Sequence, residues 1–167
     1  MKSFLRYLDE NLERVLLTVI LAVMSAVIGL QVFMRYILRS SLSWSEEMAR
    51  YLFIWMVYIG ISYGVKKNRH IKVDAATLLF SKRARQYIAI LANVIFLGFA
   101  LLMIYQCNEI RAMISELGQH SPAMGFPLQW VYTAAPFGLS LVVIRLLQNI
   151  WGQFKDLKAE KKGEGIA

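Results

Sequence analysis

The residues of this 167-residue chain best suited to chemistry are two carboxylates and a guanidinium group, at positions 46, 47 and 50. Glu46 and Glu47 precede Arg50 by four and three residues, so on a helix both carboxylates can reach the guanidinium. Ser43 stands three residues before Glu46, and this serine–glutamate spacing is typical of a capping box. Two interpretations stay open: a capped helix start with a solvated ion pair, or a charged anchor for another membrane subunit.

Other chemical groups are scarce in this sequence. The two histidines, His70 and His120, fall between apolar stretches, so a helical bundle would lack imidazole ligands for haem. The deepest polar residues of the apolar stretches are neutral, whereas a proton- or cation-coupled transporter usually has an ionisable group there; they are Gln31, Asn93 and Gln106. We recognise no metal-ligand cluster, phosphate-binding glycine loop or nucleophile–base pair. We therefore expect neither an enzyme nor a bound cofactor or metal.

Four long apolar stretches must position these residues. They are 17 to 21 residues long and cover residues 15–34, 48–65, 87–107 and 128–144. A bilayer core about 30 Å thick needs about 20 helical residues. Hydrocarbon satisfies no backbone polar group, so each stretch is predicted to be a transmembrane helix. With the helical residues around them, the spans are predicted at about 15–34, 44–65, 87–107 and 128–150. The predicted fold is an all-α integral membrane protein with a single membrane domain, 1–167.

The basic residues are distributed unevenly between the predicted spans. Of the 19 Lys and Arg residues, 15 lie before the first span, between the second and third, or at and beyond the end of the fourth. The other two connections hold four. By the positive-inside rule, both termini are predicted to face the cytoplasm. Topology thus accounts for the net charge of +8, and we expect no nucleic-acid partner. The single cysteine, Cys107, allows no internal disulfide.

The segments that flank the spans have helical patterns of their own. Leucines recur at helical spacing in residues 1–14, which predicts either an interfacial amphipathic helix or a cytoplasmic extension of the first span. Acidic residues in this segment argue against a cleaved signal peptide. Residues 110–117 carry an apolar stripe, and Gly118 is placed to end that helix. Residues 151–167 are predicted to be a cytoplasmic tail.

Small residues mark places where the predicted helices can touch. Gly60 and Gly64 have the spacing of a helix-packing motif in the second span, and Ala134 and Gly138 repeat it in the fourth. Packing within the four-helix unit explains such residues most simply. If a second subunit binds, the candidate interface residues are Trp44, Glu46, Glu47, Arg50, Gly60 and Gly64.

A series of short motifs runs through nearly the whole chain. It comprises Arg35-Tyr36, the segment 43–51 (SWSEEMARY), Gly60, the segment 70–74 (HIKVD), the segment 121–127, Trp130, Pro136 and Arg145-Leu146-Leu147. In this order the motifs resemble the small membrane subunit of tripartite ATP-independent periplasmic (TRAP) transporters. The resemblance implies a location in the bacterial inner membrane, among membrane lipids.

The resemblance also implies two protein partners. In such systems a periplasmic solute-binding protein delivers an organic acid, such as a C4-dicarboxylate or sialic acid. A large permease subunit of about twelve helices carries the solute and sodium ions across the membrane. The small four-helix subunit associates with it and widens its static scaffold. The alternative function is a four-helix anchor of a respiratory or redox complex, which a haem absorbance band would reveal.

Overall fold

The computed structural model of the protein describes residues 2–67 and 82–164, which form helices, turns and an isolated antiparallel β-bridge between His120 and Pro127. The helices are α1 (Lys2–Tyr36), α2 (Ser43–Lys67), α3 (Lys82–Glu116), the short α4 (Gln129–Tyr132) and α5 (Ala134–Glu164). Four segments are long and apolar enough to cross a membrane: Asn11–Tyr36, Ser43–Lys67, Gln86–Glu116 and Gln129–Lys155. The predicted all-α fold with four membrane-spanning helices is therefore confirmed.

The long helices form a row in the order α1, α2, α5, α3. α2 packs against α1 and α5, and α3 packs against the other side of α5. The two helices at the ends of the row are the least buried. In the most apolar window of α1 and of α3, 6% of the residues are buried, against 44% in α5. The core joins α2, α3 and α5 through Val65, Ala100, Val142 and Leu146. The end helices α1 and α3 therefore leave most of their apolar surface uncovered by this chain.

The closest approach between α2 and α5 depends on one glycine. A Cβ atom added to Gly138 of α5 would lie 2.6 Å from the Cβ of Tyr58 and 2.8 Å from its backbone carbonyl atoms. No ordinary van der Waals contact is that short, so only glycine fits this crossing. Next to it, the rings of Trp55 and Phe137 pack at 5.6 Å between centroids. The small-residue motif of the fourth span thus packs within the chain, as predicted.

A proline explains why the fourth span is divided into α4 and α5. Pro136 has no backbone N–H to donate to the carbonyl of Tyr132, and its ring crowds that carbonyl. The series of helical hydrogen bonds is therefore interrupted near Thr133, although the Thr133 backbone keeps helical angles (φ −68°, ψ −21°). Pro136 becomes the third residue of α5, a position at which the missing N–H has no partner within the helix.

The end of α3 has the predicted glycine cap. Gly118 adopts a left-handed conformation (φ 59°), which glycine reaches without steric cost. The N–H of Gly118 donates to the carbonyl of Ser115 at 3.1 Å, and the N–H of Gln119 donates to that of Ile114 at 3.4 Å. These two hydrogen bonds form a Schellman motif. The chain then turns back through residues 119–128 toward the fourth span.

Several helices extend beyond the predicted spans. Residues 2–14 belong to the same continuous helix as the first span, and their interfacial location stays a prediction. The apolar stripe at 110–117 lies largely in the last turns of α3, which continues without interruption past residue 107. α5 continues through residues 151–164 of the predicted tail. Polar residues alone do not end a helix, because its backbone hydrogen bonds continue regardless of the side chains.

Candidate functional site

The predicted capping box at the start of α2 is not formed. Ser43 is itself the first helical residue, and Glu46 accepts a hydrogen bond from the Nε2 of Gln31 in α1 at 2.7 Å. The buried hydroxyl at the helix start belongs to Ser45, which donates to the carbonyl of Leu42 at 2.7 Å. The prediction was wrong because the capping pattern is local, whereas the partner of Glu46 comes from another helix.

Glu47 holds the turn between α3 and α4 against α2. Its Oε1 accepts a hydrogen bond from the Tyr51 hydroxyl at 2.9 Å. Its Oε2 accepts one from the hydroxyl of Ser121 and one from the backbone N–H of Ala123, the latter at 3.0 Å. Ser121 is buried, and its oxygen also accepts from the N–H of Met124 at 3.2 Å. One carboxylate therefore organises the turn at residues 117–128, which we call the outer turn. We call this end of the molecule the outer end, because the charge distribution predicts that it faces the periplasm.

Arg50 does not form the ion pair that its spacing allows. The chain described at 2–67 and 82–164 has no carboxylate oxygen within 4 Å of its guanidinium, and Arg50 is exposed. Glu46 and Glu47 instead accept hydrogen bonds from Gln31 and from the outer turn. The structure therefore leaves Arg50 as an exposed cation near the start of α2.

Four of the six candidate interface residues lie on one side of α2. At 3.6 residues per turn, they share an arc of about 100° with three exposed apolar residues. We call this surface the open face of α2; it consists of Glu46, Arg50, Phe53, Val57, Gly60, Ile61 and Gly64. Gly60 lies at the edge of this face, where an added Cβ would be 4.0 Å from Leu17 of α1. The other two candidates, Trp44 and Glu47, lie outside this arc and are half-buried. The structure thus divides the set into two groups.

A second polar cluster, which we call the inner charge cluster, lies at the opposite end of the helices. Glu13 of α1 is fully buried, and its Oε1 lies 2.6 Å from the Nε of Arg145 in α5. Its Oε2 lies 2.9 Å from the Nζ of Lys66 in α2, and the hydroxyl of Ser62 donates to Oε1 at 3.2 Å. One carboxylate therefore joins three helices of the row.

Sequence reasoning did not recognise Glu13, although one signal for it exists. Glu13 precedes the first apolar stretch, Lys66 follows the second and Arg145 follows the fourth. Antiparallel spans place all three at the same end of the row. A buried charge requires a partner, so their shared depth indicates an ion pair. The amphipathic pattern of residues 1–14 instead favours a polar, solvated environment for Glu13.

A shallow hollow of about 350 Å³ opens at the outer end, between α2 and the outer turn. None of its lining side chains is charged, and its tyrosine hydroxyl is already bonded to Glu47. The lining residues are Met48, Tyr51, Leu52, Trp55, Met124, Phe126, Trp130 and Val131. An anionic solute would find no cationic side chain in this lining, so the hollow does not have the character of a carboxylate-binding site.

Long apolar helices in a row, with their charged groups at the two ends, define this chain as a multi-pass helical membrane protein. A model of the family described as tripartite ATP-independent periplasmic transporters, DctQ component, matches residues 24–156. The chain therefore belongs to this family, in agreement with the resemblance seen in the sequence. It is a family of transporter subunits rather than of enzymes, and it places the chain in the inner membrane.

Three relatives show the range of proteins that this chain is similar to. The isethionate TRAP transporter permease protein DctMQ of Oleidesulfovibrio alaskensis is 30% identical over 159 residues, which cover 92% of this chain and 25% of that protein. The C4-dicarboxylate small permease protein DctQ of Vibrio cholerae is 28% identical, covering 85% of this chain and 71% of that protein. The sialic acid small permease protein SiaQ of the same organism is 25% identical, covering 92% and 87%. This chain thus spans about a quarter of the isethionate permease and most of the small permeases.

Proposed function

We propose that this chain is the scaffold subunit of a TRAP transporter. In this role it associates with the large permease subunit for sodium-coupled uptake of an organic-acid solute, which a periplasmic binding protein delivers. The positions of the charged side chains are the main support for this proposal. The described carboxylates and cations lie at the ends of the four spans, so the middle of the row offers no charged side chain to an ion. Ion and solute sites then belong to the large subunit. This chain provides a rigid surface with which that subunit associates.

The names of the relatives support the proposed class of solute. Proteins similar to this chain are named for isethionate, C4-dicarboxylates and sialic acid, all of which carry an acidic group. We assign an organic acid to the complex and not to this chain, because the hollow at its outer end is lined by uncharged side chains. The exposed apolar residues of α1 and α3 contact membrane lipids in this arrangement, as lipid-facing helices do.

The experiment that tests the partnership is purification from the native host. We expect the tagged chain to co-purify in mild detergent with a protein that mass spectrometry identifies as a large TRAP permease. The same preparation is expected to show no haem absorbance band. A haem band together with redox subunits would instead indicate the alternative function, an anchor of a respiratory complex.

The orientation is a separate prediction from the charge distribution. With both termini in the cytoplasm, a membrane-impermeant thiol reagent applied from the periplasm should label a cysteine placed at Ser41 or Gln119. It should not label a cysteine placed at Asn68 or Gly163. The background for all four variants is Cys107→Ser, which removes the single native thiol. Labelling at position 68 in intact cells would contradict the predicted orientation.

A further inference from the structure

α2 is less apolar than its exposure to the membrane would require. Its most apolar window has a mean hydropathy of 1.3, against 2.5 in α1 and in α3. Only 17% of that window is buried within the chain. The other helix of low hydropathy, α5 at 1.6, is the most buried of the four. α1 and α5 cover the other sides of α2, so its exposed apolar side chains lie on one side. An uncovered side on a helix of low hydropathy is suited to contact with another protein.

The residues of α2 that are exposed despite its low hydropathy lie on its open face. Phe53 and Val57 are 51% and 41% exposed, and no atom lies within 4 Å of a Cβ added to Gly64. The uncovered surface of α3 also combines large apolar side chains, such as Leu91 and Ile95 at 60% and 64% exposed, with an open glycine, Gly98. A small residue beside apolar ones lets a second helix approach closely. Because both helices have such a residue, the lower hydropathy of α2 and the charge of Arg50 distinguish its open face from the surface of α3.

Arg50 defines the chemistry of the partner. It lies seven residues after the first residue of α2, about 10 Å along the helix axis. Its neighbours Glu46 and Glu47 accept hydrogen bonds from other groups, and the described residues place no carboxylate within 4 Å of it. A guanidinium at this depth favours a carboxylate, with which it can form two parallel hydrogen bonds. The complementary surface therefore carries a negative charge at the level of Arg50.

We infer that the open face of α2 is the surface on which the large permease subunit docks. The docking element is an apolar helix that carries an aspartate or glutamate opposite Arg50 and passes closely over Gly64. This inference rests on the proposed function, since it names the contact through which the scaffold is assembled.

Photocrosslinking tests this docking surface in the assembled complex. Benzoyl-phenylalanine in place of Val57 should crosslink to the large subunit, and the same residue in place of Leu91 on α3 should not. Crosslinking from position 91 and not from position 57 would overturn the inference while leaving the partnership intact. Absence of the large subunit from the wild-type complex would overturn the proposed function itself, so the two failures are distinguishable.

Matched substitutions test the chemistry of the surface. Arg50→Glu should lower recovery of the large subunit at least tenfold, because it places like charges opposite each other. Arg35→Glu, an exposed arginine near the end of α1, should leave recovery unchanged. Gly64→Leu should lower recovery, whereas Gly98→Leu, at an equally open position of α3, should not. Unchanged recovery with both Arg50→Glu and Gly64→Leu would overturn the inference.

Discussion

Replacing Glu13 by alanine is expected to be the most destabilising single substitution in this protein. The change removes the carboxylate that Arg145 and Lys66 share, in a place where the Glu13 side chain itself is inaccessible to water. Breaking a buried ion pair from one side costs about 3–5 kcal/mol. For a protein of this size that loss lowers the thermal unfolding temperature by roughly 6–20 °C. The unfolding temperature can be measured in mild detergent by tryptophan fluorescence, since the chain has four tryptophans.

Two further variants separate charge from packing at this position. Glu13→Gln keeps the side-chain volume but removes the negative charge, so most of the loss should remain. Glu109→Ala removes an exposed carboxylate of α3 and should change stability by less than about 0.5 kcal/mol. If Glu13→Ala and Glu109→Ala unfold at the same temperature, the inner charge cluster does not stabilise the packing of α1, α2 and α5.

Gly138→Ala is expected to destabilise the protein through a steric clash. The new Cβ would lie 2.6–2.8 Å from Tyr58 atoms that include its backbone carbonyl, so α2 and α5 must move apart. Overpacking of this kind costs about 1–3 kcal/mol. Gly29→Ala is the matched control, because no atom lies within 4 Å of the added Cβ. Alanine at an open helical position gains up to about 1 kcal/mol over glycine.

The two glycine substitutions are therefore expected to have opposite effects on the unfolding temperature. Gly138→Ala should lower it, and Gly29→Ala should raise it or leave it unchanged. Equal unfolding temperatures would contradict the close crossing of α2 and α5. Crosslinking between paired cysteines in α2 and α5 would show whether their separation has increased.

The sequence predicts the spans well because the bilayer imposes a one-dimensional constraint. Length and apolar character are sufficient to recognise a crossing helix, and the glycine cap at Gly118 is likewise a local feature. Partners that come from another helix are harder to predict. Glu46 bonds to Gln31, and Glu47 bonds to the turn at Ser121, 74 residues further along the chain. Neither contact produces a sequence pattern at helical spacing from which it could be predicted.

Glu13 shows the same limit more clearly. Its immediate sequence is amphipathic, so the local pattern favours a polar surface. Its burial depends on Arg145, 132 residues away, and on the order of the helices in the row. Helix order is set by packing details such as the crossing at Gly138, which hydropathy does not encode. The sequence likewise could not separate the interface candidates on the open face of α2 from the two outside it. That separation requires knowing which sides of α2 contact α1 and α5.

We expect this chain to support transport without carrying the solute itself. Reconstituted uptake tests it most directly, using the solute found bound to the purified binding protein. Proteoliposomes should contain this chain alone, the large permease alone or both, each with an inward sodium gradient and loaded binding protein. We predict sodium-dependent uptake only when both subunits are present. Sodium-dependent uptake by this chain alone would contradict the scaffold function.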